Sequence, residues 1–123
     1  MADCYADRVV IEMPFAAGIA PERTETTREE LRARFAAGAA ARRYTAVRDV
    51  RIHDTADPDV IVLEYRIDGT RLADGEQFTM GFVMVLTFSD GLIANSRDYT
   101  DPIAGARALG RLADLAATLA TKP

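Results

Sequence analysis

The sequence predicts one α+β domain with a mainly antiparallel sheet, and three observations lead to this fold class. The chain has 123 residues, 49% hydrophobic and 28% charged, a balance typical of a single folded domain spanning residues 1–123. Four β-rich segments follow one another without an intervening helical pattern. Helical patterns stand before and after this group, an order that favours antiparallel pairing over alternating βαβ units.

The first elements are a strand, a loop and a helix. The strand is predicted over Val9–Phe15, and Gly18 and Pro21 break regular structure in the loop that follows. Thr26 and Thr27 each precede a glutamate by three residues, the pattern of an N-terminal capping box. A helix is predicted after them, and its apolar face consists of Leu31, Phe35 and Ala39.

The rest of the chain is predicted to form four strands and a helix. The strands are expected over residues 44–53, 60–68, 78–88 and 92–100. The segment from Asp101 onward is predicted to be helical, although Gly105 and Gly110 weaken its start. Its apolar stripe consists of Leu109, Leu112, either Leu115 or Ala116, and Leu119.

Charges select the pairing of the first predicted hairpin. Placing Arg51 opposite Glu64 also places Asp49 opposite Arg66, which gives two attractive cross-strand pairs. Glu64 is therefore interpreted as half of a structural ion pair. The other face, which is predicted to lie toward the core, carries Val50, Ile52, Leu63, Tyr65 and Ile67.

The second predicted hairpin determines where Asp98 points. A three-residue loop ending at Gly91 sets Phe82 opposite Asp98 and Met84 opposite Ser96. A two-residue turn would slip the register by one and set Met84 against an arginine, a poor match of faces. In the preferred register Asp98 is an acid on an apolar face, where desolvation raises its pKa and suits it to general acid–base chemistry. The structural alternative is a carboxyl satisfied by local backbone or by a tyrosine hydroxyl.

Composition excludes several classes of function. The net charge is −4 and no Lys/Arg cluster interleaves with aromatic residues, so we expect neither a nucleic-acid nor a membrane partner. The Arg42–Arg43 pair is interpreted as a solvated helix end. Cys4 is the single cysteine and His53 the single histidine, which excludes an internal disulfide and a Cys- or His-rich metal site. No apolar run approaches the ~20 residues of a membrane span, and we expect a cytoplasmic protein.

Two other groups of polar residues are interpreted as structural. His53 shares the face of Glu64 and is expected at the surface. Asp54, Asp57 and Asp59 lack the glycine and the distal glutamate of an EF-hand, so an ordinary turn is the preferred interpretation.

Four segments in sequence resemble the SnoaL-like branch of the NTF2-like superfamily, which includes ketosteroid isomerases and polyketide cyclases. The resemblance covers about residues 5–112 and is carried by "DRVVIEMPFA", "TTREELRARF", "HDTADPDVIVLEYRIDG" and "DGLIANSRDYTDPIAGARALG". It implies a conical fold in which a strongly curved sheet wraps around helices and encloses an apolar pocket. It also implies a homodimer formed through the outer face of the sheet.

The N-terminus departs from this family pattern. Relatives usually begin with about two helices that close the pocket, whereas here "MADCYAD" resembles the tail of the second helix. We therefore expect the N-terminal helices to be missing or shortened. An uncovered concave face would expose a large apolar patch, and the C-terminal leucine stripe is the segment expected to fold over it.

The resemblance implies an isomerase- or cyclase-like reaction on a hydrophobic carbonyl compound, without a metal or organic cofactor. Asp98 matches the acid–base position, and an enolate would take hydrogen bonds from Tyr65, Tyr5, Ser96 or a backbone amide. The alternatives are a non-catalytic ligand-binding or dimerisation module, and hydrolysis of an epoxide, which needs an arginine beside Asp98. The residues expected to contact the small molecule are Phe82, Met80, Met84, Tyr65, Ser96, Phe15 and Phe35.

Overall fold

The structure, a computed structural model, describes residues 1–16 and 20–121. Along the chain its elements are a 3₁₀ helix (Ala2–Cys4), β1 (Tyr5–Glu12), β2 (Arg23–Thr27), α1 (Arg28–Ala41), β3 (Arg42–Asp54), β4 (Val60–Arg71), β5 (Gln77–Ser89), β6 (Leu92–Thr100), α2 (Pro102–Ala108) and α3 (Leu112–Ala120). The six strands form one curved sheet in the order β2-β1-β6-β5-β4-β3. β1 and β6 are parallel and the other neighbouring pairs are antiparallel, which confirms the predicted α+β class.

The N-terminal part of the chain contains more strand than the sequence pattern predicts. A single 3₁₀ turn precedes β1, and β1 begins at Tyr5, before the predicted start at Val9. The predicted loop is partly wrong, because residues 23–27 form the edge strand β2 paired with β1. β2 is almost entirely polar, so its sequence carries no alternation of apolar and polar residues. Gly18, the predicted breaker, lies outside the described residues.

Helix α1 begins as the capping pattern predicts. The Thr27 side chain accepts a hydrogen bond from the Glu30 amide at 3.2 Å, and the Thr26 hydroxyl donates to Glu30 Oε2 at 2.7 Å. The helix buries Leu31 against the inner face of β1, where it contacts Val9 and Ile11. This packing forms the first of two apolar cores.

The first hairpin keeps the predicted Arg51–Glu64 pairing but contains a bulge. Asp49 has a left-handed φ of +56° and lies in the bulge, so Arg48 stands opposite Arg66 and the predicted Asp49–Arg66 register is wrong. The predicted attraction still forms, because Arg66 Nε lies 3.8 Å from Asp49 Oδ2. The carboxylate of Glu64 pairs with His53 at 2.6 Å. Such bulges bend a strand and increase its twist, as sheet curvature requires.

The apolar residues of β3 do not become core. Val50 is 54% exposed and Ile52 is 64% exposed, so the prediction that they lie on a buried face is wrong. The reason is their position, because β3 is the outermost strand at this side of the sheet. The inner face of the sheet therefore stays open to solvent near this edge.

The second hairpin closes through the two-residue turn Asp90–Gly91, and the predicted three-residue loop is wrong. Both turn residues have positive φ, +52° and +77°, as a type I′ turn requires. A bulge at Ala94 then shifts the ladder by one more residue, so Asp98 pairs with Met84 instead of Phe82. The two shifts together move the register by two residues, which changes the partner of Asp98 but not its face.

The C-terminal segment forms two helices where a single one was predicted. Gly110 adopts a φ of +70° and ends the first, while Asp101 caps its start through the Ile103 and Ala104 amides. α2 packs Ala108 against Phe78 and Met80, which forms the second apolar core. In the predicted leucine stripe, Leu115 is buried. The other three leucines are about half-exposed: Leu109, Leu112 and Leu119. Among the described residues no helix is long and apolar enough to cross a membrane.

Candidate functional site

Asp98 lies on the inner face of β6, among apolar side chains. Its ladder partner is Met84, and the fully buried Ser96 stands two residues earlier on the same face. Burial raises the pKa of the Asp98 carboxyl above its usual value. The Ser96 hydroxyl donates to Asp98 Oδ1 and opposes part of that rise in pKa. The carboxyl is thus positioned by a neighbour and partly withdrawn from water.

Two half-buried tyrosines, Tyr5 and Tyr65, lie within electrostatic range of this carboxyl. The Tyr65 ring stacks on Phe82 with centroids 5.0 Å apart, and its hydroxyl lies 3.8 Å from Met84 Sδ. Burial, followed by the charges of Tyr5 and Asp98, raises the pKa of Tyr65 to about 12. The pKa of Tyr5 is raised as well, first by burial and then by the charge of Asp98. Both phenols therefore remain protonated at neutral pH and can donate hydrogen bonds.

A cavity of about 560 Å³ lies farther along the inner face, near the end of β6. Two of the residues predicted to contact a small molecule, Met80 and Phe82, line it, together with Thr100. Asp98 is not among its lining residues, but it lies two residues from Thr100, about 7 Å along the strand. Its remaining apolar wall consists mainly of Met13, Tyr44, Ala106 and Leu115.

The other residues predicted to contact a small molecule have distinct surroundings. Phe35 is half-buried on α1, with its ring 6.0 Å from that of Tyr5. Ser96 has no exposed surface, so its hydroxyl donates its hydrogen bond to Asp98 and cannot contact a bound molecule. Phe15 is 62% exposed, lies beyond the end of β1 and packs edge-on against Tyr99 at 5.2 Å. The structure therefore places Phe15 outside the cavity lining.

Arginines at the cavity are the functional candidates that sequence reasoning missed. Arg34, Arg42 and Arg111 line it from α1, β3 and the start of α3. The interpretation of Arg42–Arg43 as a helix end is wrong, because both residues begin β3. Arg43 is exposed, as predicted, whereas Arg42 is half-buried and lines the cavity. Alternation along a strand separates such adjacent residues, and this was the available signal.

The remaining polar candidates lie away from Asp98. His53 and Glu64 form a half-exposed pair on the outer face. Arg97 also points outward, 3.8 Å from Glu12, so it does not supply the arginine that epoxide hydrolysis needs. Within residues 1–16 and 20–121 no three His, Cys, Asp or Glu side chains lie close enough together to hold a metal ion.

Solved structures show the same fold. A candidate isomerase from Bacillus subtilis superimposes with a TM-score of 0.77 at 21% identity, covering 89% of this chain and 78% of that one. A candidate polyketide cyclase from Pseudomonas putida gives a TM-score of 0.69 at 16% identity, with 87% and 81% coverage. An NTF2-like protein from Burkholderia thailandensis gives 0.65 at 21% identity, with 89% and 82% coverage.

Sequence comparison adds the family. An uncharacterised PhzA/B-like protein of Pseudomonas aeruginosa is 36% identical over 62 residues, which is 50% of this chain and 44% of that relative. The family model described as the SnoaL-like domain matches residues 1–96. Since this match spans most of the chain, the protein belongs to the SnoaL-like domain family; Asp98 lies two residues beyond the matched segment.

Proposed function

We propose that this protein catalyses proton transfer at a carbon next to a carbonyl group, in a hydrophobic substrate, with Asp98 as the general base and acid. The single observation that carries the proposal is a carboxyl with raised pKa on the apolar inner face of the sheet, beside a cavity. Names given to relatives, isomerase and polyketide cyclase, agree with this class of chemistry.

In the proposed reaction the Asp98 carboxylate accepts the proton from the α-carbon of the substrate. The C–H electron pair forms a C=C bond, and the carbonyl oxygen becomes an enolate that accepts a hydrogen bond from Tyr65 or Tyr5. Protonated Asp98 then returns the proton to another carbon. In the alternative, the enolate carbon attacks a second carbonyl and closes a ring, and Asp98 gives its proton to the alkoxide oxygen that this attack forms. No oxidation or reduction occurs, and the proton removed from the substrate is held by Asp98 until it is returned.

Solvent exchange tests the proposal without knowledge of the natural substrate. Hydrophobic ketones and β-dicarbonyl compounds are incubated with the protein in D₂O, and loss of the α-proton signal is followed by NMR. We expect exchange well above the buffer rate for at least one compound. Binding of these compounds without any exchange would instead favour a non-catalytic binding module.

The pH dependence of this exchange should report the raised pKa of Asp98. The base must be ionised, so kcat/KM should rise with pH, with its midpoint above the ordinary aspartate value of about 3.9. The rate should then stay level into alkaline solution, because the Tyr65 hydroxyl keeps its proton up to about pH 12. The measurement is a pH–rate profile between pH 4 and 10.

Ser96→Ala supplies the control for this profile. Loss of the hydroxyl removes the hydrogen bond that lowers the pKa of Asp98, so the midpoint should move to higher pH. A midpoint that stays in place in the variant would show that another group limits the rate.

We further propose that two copies associate through the outer face of the sheet. The centre of this face carries Val62, Val83 and Val85, with Val83 37% exposed between its ladder partners Glu64 and Tyr99. Arg51 and Glu64 lie beside this strip, so its charges can complement those of a second copy.

Val83→Glu should therefore convert a dimer into a monomer, as measured by light scattering after size exclusion. Two carboxylates would be brought together in an apolar contact, where burial of unpaired charge is costly. Val47→Glu is the matched control, because Val47 is 62% exposed on the inner face. Dimers that survive Val83→Glu would contradict this interface.

A further inference from the structure

The cavity beside Asp98 is apolar in its walls but basic at its rim. Arg34, Arg42 and Arg111 reach it from three separate elements. Within the described part of the chain, none of these three side chains forms an ion pair or a side-chain hydrogen bond. Most other structural arginines here do have a carboxylate partner, for example Arg71 with Asp74 at 2.6 Å.

Arg42 is held by packing and has no acidic partner. Its guanidinium lies over the Tyr44 ring, 5.8 Å from the centroid, and against Gly38 on α1. A β-carbon at Gly38 would come within 3.0 Å of Arg42 Nη2, so glycine provides the space that the guanidinium occupies. Arg42 Nε is buried without a hydrogen-bond acceptor, a state that costs free energy unless something else supplies one.

The acids that line the cavity do not balance these charges. Asp101 and Asp114 are both among its lining residues. The Asp101 carboxylate is already engaged, because it accepts the Ile103 and Ala104 amides at 3.0 and 3.1 Å. Asp101 nevertheless keeps its charge, so together with Asp114, which is exposed on the first turn of α3, two carboxylates stand against three guanidinium groups.

From this arrangement we infer that the cavity binds an amphipathic organic anion, a flat apolar body that carries a carboxylate. Arg42 binds the carboxylate, since the guanidinium fork matches its two oxygens, and Arg34 and Arg111 strengthen the field at the rim. The apolar body lies against Met80 and Phe82, in a volume of about 560 Å³ that suits one small molecule. Beyond Thr100 this body extends toward Asp98.

The inference deepens the proposed function, because it names the substrate class for the same cavity, and it rests on that function for the link to Asp98. Binding itself is measurable without turnover. Two probes of equal size, 2-naphthoic acid and 2-naphthamide, differ in charge but present the same apolar body. Calorimetric titration at low salt should give an affinity for the acid about tenfold or more above that for the amide.

Arg42→Gln should remove this preference. The acid should bind roughly ten- to hundredfold more weakly, because a charge-assisted bidentate contact is lost, while the affinity for the amide changes about twofold at most. Arg43→Gln is the matched control, because Arg43 is the adjacent residue on the opposite side of β3 and is exposed. It should bind the acid as the unmodified protein does.

Arg42→Lys covers the case in which Arg42→Gln does not fold. It keeps the charge but not the fork, so the preference for the acid should fall and its salt dependence should remain. Equal affinities for acid and amide in the unmodified protein would overturn the inference, as would an unchanged preference in both Arg42 variants.

The two proposals fail separately. Asp98→Asn should retain the preference for the acid, because Asp98 is not among the cavity-lining residues. Catalysed exchange without a preference for the acid would refute the anion site and leave the proposed function standing. A preference for the acid without proton exchange in any compound would support the anion site and refute the proposed function.

Discussion

Asp98→Asn should lower the rate of catalysed α-proton exchange by about 10²- to 10⁴-fold, the usual contribution of a positioned general base. Asparagine has nearly the same shape and its amide oxygen can still accept the Ser96 hydroxyl, so the loss reflects proton transfer and not packing. The decrease should appear in kcat, since the substrate contacts at the cavity remain. Single-turnover and steady-state exchange rates measure it directly.

The same substitution should not destabilise the fold at neutral pH. Burial raises the pKa of Asp98 in the folded state, so the folded protein holds this proton more tightly than the unfolded chain. The unfolding free energy therefore falls as the pH rises from about 3.9 through the folded-state pKa. Asparagine cannot ionise, so the variant avoids this loss, and we expect an equal or higher melting temperature at pH 7.

Asp90→Asn is the matched control for this experiment. Asp90 lies in the turn before β6 with a φ of +52°, a conformation that asparagine accepts readily. Its exchange rate and melting temperature should remain close to those of the unmodified protein. An Asp98→Asn variant that keeps its full rate would refute the assignment of Asp98 as the base.

Leu31→Ala should cost about 2–5 kcal/mol of unfolding free energy, the range for a large core residue cut back to alanine. Leu31 is 2% exposed and joins α1 to β1 through Val9 and Ile11. The helix also contacts β2 and β3, so its position is fixed from several sides and the space left behind collapses only in part. Urea denaturation followed by circular dichroism gives the value.

Leu119→Ala provides the comparison for this stability measurement. Leu119 is also a helical leucine, but it is 49% exposed on α3, and its truncation should cost less than about 1 kcal/mol. If the two variants lost the same free energy, the first core would not be the main connection between α1 and the sheet.

Sequence patterns predicted the strands well because alternation of apolar and polar residues is a local property. The four strands β3 to β6 and the cap at Thr27 lie close to their predicted positions. Register was harder, because the bulges at Asp49 and Ala94 each insert one residue and no local pattern marks them. The inward direction of Asp98 survived because the turn and the bulge shift the ladder by two residues together.

The cavity could not be read from the sequence for a different reason. Its walls come from elements far apart in the chain, and the break at Gly110 decides where α3 places Arg111. The role of Arg42 depends on Gly38 and Tyr44, which offer it packing instead of an acid. A pair of adjacent arginines carries no information about such surroundings.

The bulge in β3 also bears on the solubility of the protein. β3 is an outermost strand with two well-exposed aliphatic residues, Val50 and Ile52, and a straight edge of this kind can template fibril-like addition of another chain. At Asp49 the extra residue interrupts the row of backbone donors and acceptors, while Arg48 and Arg51 place charge beside the interruption. The β-bulge at Asp49, which breaks the regular register of β3, thus also disfavours the addition of another chain to this edge.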